Sequence, residues 1–433
     1  MLNRVMFICP FWQQKDHVGT IRAERLVRWL RKLDFEVFVV AAGHTDSSLK
    51  TDYGKLIVVK DPLRIYPDVF SGKTSFETPV SSRKPNRFRR WIAYFLLVPD
   101  LHIRWAKEVI KSEEVNAVAH DCDYFMASSP PESSFIAAAS LSSRFDRKFI
   151  MDMRDGWLDE PMKPLLKSLW IQRFREKRIE KRLLKKADAI SVTSDNWKEL
   201  LLIRYPKLDS KIHVISNCYP DFSKTDQGNP AGLKSHNTDR IQLIHAGRIS
   251  GSRPERNIEL LLSRLFQYIG NKKVKCTIKF IGILDPSEIK LIEKWNKRFM
   301  EYDSNLEYLK SVTRSEVLNL LAAADGLIMV SNSYASIPAK YFDYSVTGRP
   351  VLNFTINDSA SVKASSEQPH FYHLIEKTDA DISTEDLQYK IVDSFINHCI
   401  SDHPFDAVLN QDFTENEVLS RFERILKSLK NDG

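Results

Sequence analysis

The 433-residue chain has no apolar run approaching the roughly 20 residues that a membrane-spanning helix requires. The longest candidate, WIAYFLLVP at Trp91–Pro99, is less than half that length. Its five cysteines (Cys9, Cys122, Cys218, Cys276, Cys399) are odd in number, far apart and without zinc spacing. That argues against a disulfide framework and fits a reducing cytoplasm. The N-terminal MLNRVMFICPFW has a short apolar part and no small-residue cleavage site after it, so it reads as a buried strand rather than a signal peptide. The G-x-G-x-x-G fingerprint of dinucleotide binding is missing. So are short solenoid repeats and low-complexity tracts.

What is present is the composition of a globular protein, 43% apolar and 28% charged, long enough for two domains of roughly 200 residues each. The formal net charge of +8 favours an anionic partner: nucleic acid, an anionic membrane or a phosphorylated substrate.

Strand-like and helix-like segments alternate almost throughout. RVMFIC (Arg4–Cys9) is followed by a helix from about Gly19 to Leu33 and a strand at Glu36–Ala42. Further strands are expected at Ala117–His120, in YFMASS, at Lys148–Met153 and at Ala189–Ser194. This order implies a mostly parallel sheet with helices on both faces. From Tyr219 to about Arg240 the chain turns polar and rich in breakers, a linker. Alternation restarts at Ile241–Gly247 and continues through Lys275–Gly282, LEYL, Gly326–Ser331 and VLNF, so a second α/β domain follows. Residues Glu415–Leu429 form an amphipathic helix.

Open parallel sheets bind ligands beyond the carboxyl ends of their strands, and the cleft between two such domains is the expected site. The loop after the first strand carries Gly19, Thr20 and Arg22; it is either a tight turn or a place where phosphate or sugar meets backbone N–H groups and Arg22 reaches an anion. The acidic DCD at Asp121–Asp123 reads as structural rather than as a metal site. FIMDMRDGW ends a strand with Asp152, Arg154 and Asp155, either an internal Arg–Asp pair or groups that position an acceptor or act as a base. IHAGRISGSRPERN places Gly247, Arg248, Arg253 and Arg256 between a strand and a helix, which suits an anion. In SIPAKYFDYSVTGRPVLNF, Ser336 and Pro338 suit a first helical turn and Gly348 its C-terminal cap. Lys340 and Asp343 on that helix either grip a phosphate and a ribose or simply pair with each other, worth only about 0.2–0.5 kcal/mol. Two basic stretches, Arg83–Leu97 and Trp170–Lys186, are either solvated or lie on an anionic bilayer.

Taken in order, the blocks FICPFW…HVGTIRAERLVRWLRKLDFEVFVVAA, SSPPESS, MDMRDGWLDEP, ADAISVTSDNWKELL, KIHVISNCYPDF, IHAGRI, VTRSEVLNLLAAADGLIMV and IPAKYFDYSVTGRPVL resemble the GT4-like retaining glycosyltransferases of the GT-B fold, which build bacterial surface polysaccharides such as lipopolysaccharide or capsule. The resemblance implies two Rossmann-like doubly wound parallel-sheet domains facing a cleft. Residues 1–220 would be the acceptor-binding domain, 221–240 the linker, 241–412 the nucleotide-sugar domain, and 413–433 a helix crossing back onto the first domain. It implies that Gly19 lies against donor phosphates and that Arg248 with Arg253 or Arg256 binds the diphosphate; beside them Lys340 reads as part of the phosphate grip, and backbone groups of the Tyr334–Ser336 loop as substitutes for the sugar contacts of a missing acid. Asp343 matches the second acid of the E-x7-E motif, which holds the ribose, while the first acid falls at Ala335. Arg154 and Asp155 fall where the family presents catalytic groups. No metal and no cofactor beyond the nucleotide-sugar substrate is implied. The implied partners are that donor, a lipid-linked or glycan acceptor and an anionic membrane touched from the cytoplasmic side, with no nucleic acid. A nucleotide-sugar 2-epimerase of the same fold and a silent binding scaffold are the alternatives.

Overall fold

The protein is described by a computed structural model covering residues 3–12, 18–65, 97–159, 170–220, 239–247, 249, 258–310, 312–331, 333–376, 382–401 and 409–431. It divides into two compact units. The first comprises Met1–Thr193, Trp197–Ile215 and Leu419–Gly433; the second comprises Ser194–Asn196 and Ser216–Val418.

The sheet of the first unit contains β1 (Asn3–Ile8), β2 (Phe35–Gly43), β3 (Ser47–Thr51), β4 (Gly54–Lys60), β5 (Tyr124–Ser129), β6 (Lys148–Met153), β7 (Ala189–Val192) and β8 (Ile212–Val214). Their order is β3-β4-β2-β1-β5-β6-β7-β8, and only the β3–β4 pair is antiparallel. Central strands such as β1 and β6 are buried on both faces, which is why they read as nearly continuous apolar runs. The helices are α1 (Val18–Lys32), α2 (Ile103–Lys111), α3 (Glu113–Ala119), α4 (Ser133–Phe145), α5 (Trp170–Lys186) and α6 (Asp195–Arg204). Strand order reverses between β1 and β5, so the crevice of this sheet opens at the carboxyl end of β1.

One expected strand is corrected. Ala117–His120 is not a strand but the end of α3 and the residue after it. Ser112 caps that helix by accepting from Val115 N–H, and Glu113 and Glu114 favour its first turn. The apolar fragment is too short to separate the two periods.

In the second unit, β9 (Ile241–Ala246), β10 (Cys276–Ile281), β11 (Asn305–Leu309), β12 (Gly326–Val330), β13 (Val351–Thr355) and β14 (Phe371–Ile375) form a parallel sheet in the order β11-β10-β9-β12-β13-β14. Its helices are α7 (Ile258–Lys272), α8 (Pro286–Phe299), α9 (Arg314–Ala323), α10 (Ala339–Ser345), α11 (Ala360–Ala364) and α12 (Ile382–Ile400). Residues of α7, α8 and α12 make one core cluster with the sheet, and residues of α9 and α10 make another. This sheet reverses between β9 and β12, which puts its switch point at the loop after Ala246.

The last helix, α13 (Glu415–Asn431), buries Phe422, Ile425, Leu426 and Leu429, and the Phe422 ring lies 6.1 Å from that of Trp29 on α1. The linker expected at 221–240 falls outside the described residues except for Asp239 and Arg240. All five cysteines are buried, and none is in a disulfide. Among the described residues no helix is long and apolar enough to cross a membrane.

Candidate functional site

In the first unit the groups of interest stand at the carboxyl ends of β1 and β6. Asp152, on β6, is fully buried and lies in register with Ser128 on β5 and Ser191 on β7. Both hydroxyls donate to it, at 2.7 and 2.6 Å. Arg22 from α1 adds two bonds of 3.1 and 2.6 Å, and it also donates to Ile215 O at 2.9 Å. Burial alone would raise the Asp152 carboxyl; the Arg22 guanidinium and the two hydroxyls outweigh it and hold the group below its ordinary value. Arg22 is therefore not the anion-binding arm considered from the sequence. It is the partner of a buried carboxylate, tying α1 to the middle of the sheet.

Asp152 being satisfied by Arg22, Arg154 is left for other work. Its guanidinium sits 5.5 Å over the Phe11 ring, and its Nε lies 3.7 Å from the Asp155 carboxylate. Its Nη1 is buried without a hydrogen-bond partner among the described residues. Phe11 O in turn accepts from Thr20 Oγ1 at 3.2 Å, so the start of α1, with the buried Gly19, is anchored beside the same ring. Gly19, Arg154 and Asp155 thus share one end of one sheet. Asp155 itself is held from behind: Gly156 packs so tightly on the Trp197 indole that a Cβ there would fall 1.9 Å from it.

The DCD triplet sits at the opposite end. Asp123 accepts from Arg4 N–H at 2.8 Å, where β1 begins, and Asp121 lies 3.4 Å from the Arg4 guanidinium. These carboxylates are at the amino ends of the strands, away from any ligand crevice.

In the second unit the site forms where β9 ends against α10. Ala246 N–H donates to Tyr344 Oη at 2.8 Å, and Lys340 Nζ lies 3.3 Å from His245 Nε2. His245 Nδ1 lies 3.0 Å from Ile328 O and must donate to that carbonyl, so its Nε2 carries the lone pair that accepts from Lys340. The ammonium hangs beside Gly247, where a Cβ would be 3.7 Å from it. Burial pushes Lys340 down to about 7, with the Glu288 carboxylate pulling the other way. Glu288 also accepts from Ile249 N–H at 3.0 Å and closes the capping box of α8, so it braces the loop after β9. Gly247 and Gly282 both have positive φ (92° and 136°), and a Cβ on Gly282 would come within 3.2 Å of the Gly247 Cα. Glycine at both strand ends lets the two loops touch and leaves backbone open to a ligand.

Asp343 does not pair with Lys340. Its carboxylate binds Arg314 Nη2 at 2.6 Å, on the first turn of α9. The weak surface pair weighed from the sequence is therefore absent, and among the described residues Lys340 makes no ion pair. Ser336 lies outside the helix it was expected to open. Pro338 is the N-cap of α10, and Ser336 N–H donates to Ser333 Oγ at 2.9 Å in the preceding turn. Gly348, at φ 65°, comes two residues after the C-cap Val346. Ala335 is buried, so no side chain replaces the missing first acid there. Arg248, Arg253 and Arg256 fall outside the described residues, as do residues 83–96 of the first basic stretch.

Sequence reasoning passed over three residues that build this site: His245, Glu288 and Arg314. His245 left a signal, a histidine at the end of the apolar strand IQLIHAG. Glu288 and Arg314 left only helix-start grammar, which says nothing about a distant partner.

Residues 19–218 match a family described as glycosyl transferase 4-like domain. No curated protein sequence matches the chain. Among solved structures, HepE of Anabaena, crystallised with UDP and glucose, is similar in fold with a TM-score of 0.56 at 12% identity, over 98% of this chain and 100% of that one. The lipopolysaccharide outer core galactosyltransferase WaaB gives 0.52 at 12% identity over 98% and 99%. A putative UDP-N-acetylglucosamine 2-epimerase of Listeria monocytogenes gives 0.51 at 12% over 100% and 98%. The architecture shared with these structures is GT-B.

Proposed function

We infer the reaction from the premise that the chain is a GT4-like glycosyltransferase of the GT-B fold. We propose that it moves a sugar from a nucleoside diphosphate donor to a hydroxyl of a lipid-linked or polysaccharide intermediate, with the configuration at the sugar carbon retained. The observation that carries this reading is Lys340, an ammonium held by His245 beside the open backbone of Gly247 and committed to no carboxylate among the described residues. A cation in that state is suited to the oxygens of a diphosphate. HepE was crystallised with UDP and glucose on the same fold, which supports a nucleotide-sugar donor.

In the proposed step the bond from the sugar carbon to the diphosphate oxygen breaks. A bond to the acceptor oxygen forms on the same face, and the acceptor proton passes to the departing diphosphate. Lys340, with Arg248 and either Arg253 or Arg256, would neutralise the charge that develops there, so that no metal is called for. Asp343 would exchange its exposed partner Arg314 for the ribose hydroxyls. In the first unit, Arg154 and Asp155 would position the acceptor, the buried Nη1 of Arg154 offering a donor that no acceptor among the described residues uses. Gly19 would lie against the donor phosphates.

The likeness to a putative epimerase keeps one alternative in play, and a single experiment separates the two. The protein is incubated with a panel of UDP-sugars, chosen by thermal shift, with and without a membrane extract as acceptor source. Transfer requires release of UDP only when acceptor is present. A changed sugar without any acceptor would establish epimerisation, and binding without turnover in either arm would establish a scaffold.

A further inference from the structure

Helix α5 presents its residues the wrong way round for a helix that faces water. Its buried stripe contains Gln172, Glu176 and Glu180, each four residues from the next, followed by Leu183 and Leu184. Glu176 accepts from Trp157 Nε1 at 3.1 Å, and Glu180 accepts from Tyr205 Oη at 2.7 Å and from Arg204 Nη1 at 3.2 Å. Burial raises Glu180 above its ordinary value despite these partners. Neither amide atom of the Gln172 side chain has a hydrogen-bond partner among the described residues. Placing such groups inside is unfavourable compared with leucine.

The outer face carries what is normally buried. Trp170 is 76% exposed, Phe174 53% and Ile171 40%. Around them Arg173, Lys177, Arg178, Lys181, Arg182 and Lys185 are also exposed, and Arg178 lies 5.1 Å over the Phe174 ring. None of these six cations enters an ion pair among the described residues. Because both acids of the helix are inside, its exposed charge is entirely positive. Trp170, Phe174, Lys177, Lys181 and Lys185 recur at spacings of four, three, four and four, which aligns them along one side of the helix.

A single-signed row of cations with two aromatic rings among them, on one exposed helix, matches a flat anionic interface. Aromatic rings settle at the boundary between headgroups and acyl chains, and lysine and arginine approach the lipid phosphates. We propose that this face of α5 seats the protein on an anionic phospholipid bilayer, with Trp170 and Phe174 entering the boundary and the basic side chains over the headgroups. This deepens the reading as a transferase with a lipid-linked acceptor and takes its purpose from that reading. The binding itself is measured without sugar transfer, so the two can fail separately.

The test uses the full chain with vesicles of phosphatidylcholine containing phosphatidylglycerol, against vesicles of phosphatidylcholine alone. Wild type is expected to sediment with the first and not the second. Lys177→Glu/Lys181→Glu/Lys185→Glu and Trp170→Ser/Phe174→Ser should each lower the partition coefficient by about tenfold or more, with unchanged circular dichroism and UDP affinity. Lipids brominated in the acyl chains should quench wild-type fluorescence, and Trp170→Phe should remove most of that quenching. The proposal is overturned if both variants sediment like wild type, or if wild type does not sediment. It is also overturned if charge reversal abolishes sedimentation while bromine never quenches Trp170, which would mark an acidic partner. A molecular mass by light scattering that halves in Trp170→Ser/Phe174→Ser would instead assign the face to a second copy of the chain and overturn it equally.

Discussion

Lys340 and Asp343 stand three residues apart on α10 and hold different partners, His245 and Arg314. If Asp343 serves a ribose, Asp343→Ala should weaken UDP about tenfold or more by calorimetry, since it removes an acceptor for two hydroxyls. Arg314→Ala removes the guanidinium that competes for this carboxylate and should leave affinity unchanged or slightly improved; an equal loss in both variants would mean that the ion pair, not the acid, matters. Lys340 gives a pH signature. Its folded value is depressed to about 7, so its charge fades as pH rises through neutrality. An anion at Nζ raises that value again, so binding above pH 7 must take up a proton. UDP affinity should fall by roughly tenfold between about pH 7 and 8.5, with proton uptake visible as a buffer-dependent heat, and Lys340→Met should bind weakly with no such slope. A level affinity across that range in wild type would detach Lys340 from the phosphate. The candidate residues were partly readable at this scale. Lys340 and Asp343 were conspicuous as charges on a helix at a strand end. Their partners come from β9 and α9, and no spacing in one segment announces a contact made by folding two others together.

At the scale of elements, local grammar carried most of the architecture. β1, β2, β5, β6, β9, β10 and β12 were legible because strands buried on both faces are nearly unbroken apolar runs between breakers. The end of α3 was not, because four residues cannot distinguish a strand from a helical turn. The β3–β4 hairpin and β14 also escaped, the first having an exposed antiparallel edge strand and the second a His inside FYHLI. The junction of strand end and loop yields its own expectation. Gly282→Ala forces a side chain into a left-handed backbone at φ 136° and against Gly247. A cost of about 1–3 kcal/mol is expected in urea denaturation, together with weaker UDP binding as the loop after β9 is displaced. Loss of stability with affinity intact would show that the Gly247 backbone does not meet the ligand.

At the scale of the molecule, the first unit is assembled from distant parts of the chain, since Leu419–Gly433 groups with Met1–Thr193 and Trp197–Ile215. Removing residues 419–433 should expose Trp29 and forfeit the burial of Phe422, Ile425, Leu426 and Leu429, each worth about 1.5–3 kcal/mol. The truncated protein should melt well below the full chain or be recovered as aggregate. An unchanged melting temperature would mean that α13 is dispensable.

That arrangement also sets an order in time. A ribosome adds about 5–20 residues per second, so the roughly 200 residues of the second unit take on the order of 10–40 seconds to emerge after Ile215. Throughout that interval the nascent first unit lacks its final helix and shows an apolar face around Trp29. It is then a natural client for a chaperone that recognises exposed hydrophobic surface, and release would wait until residues 419–433 are made.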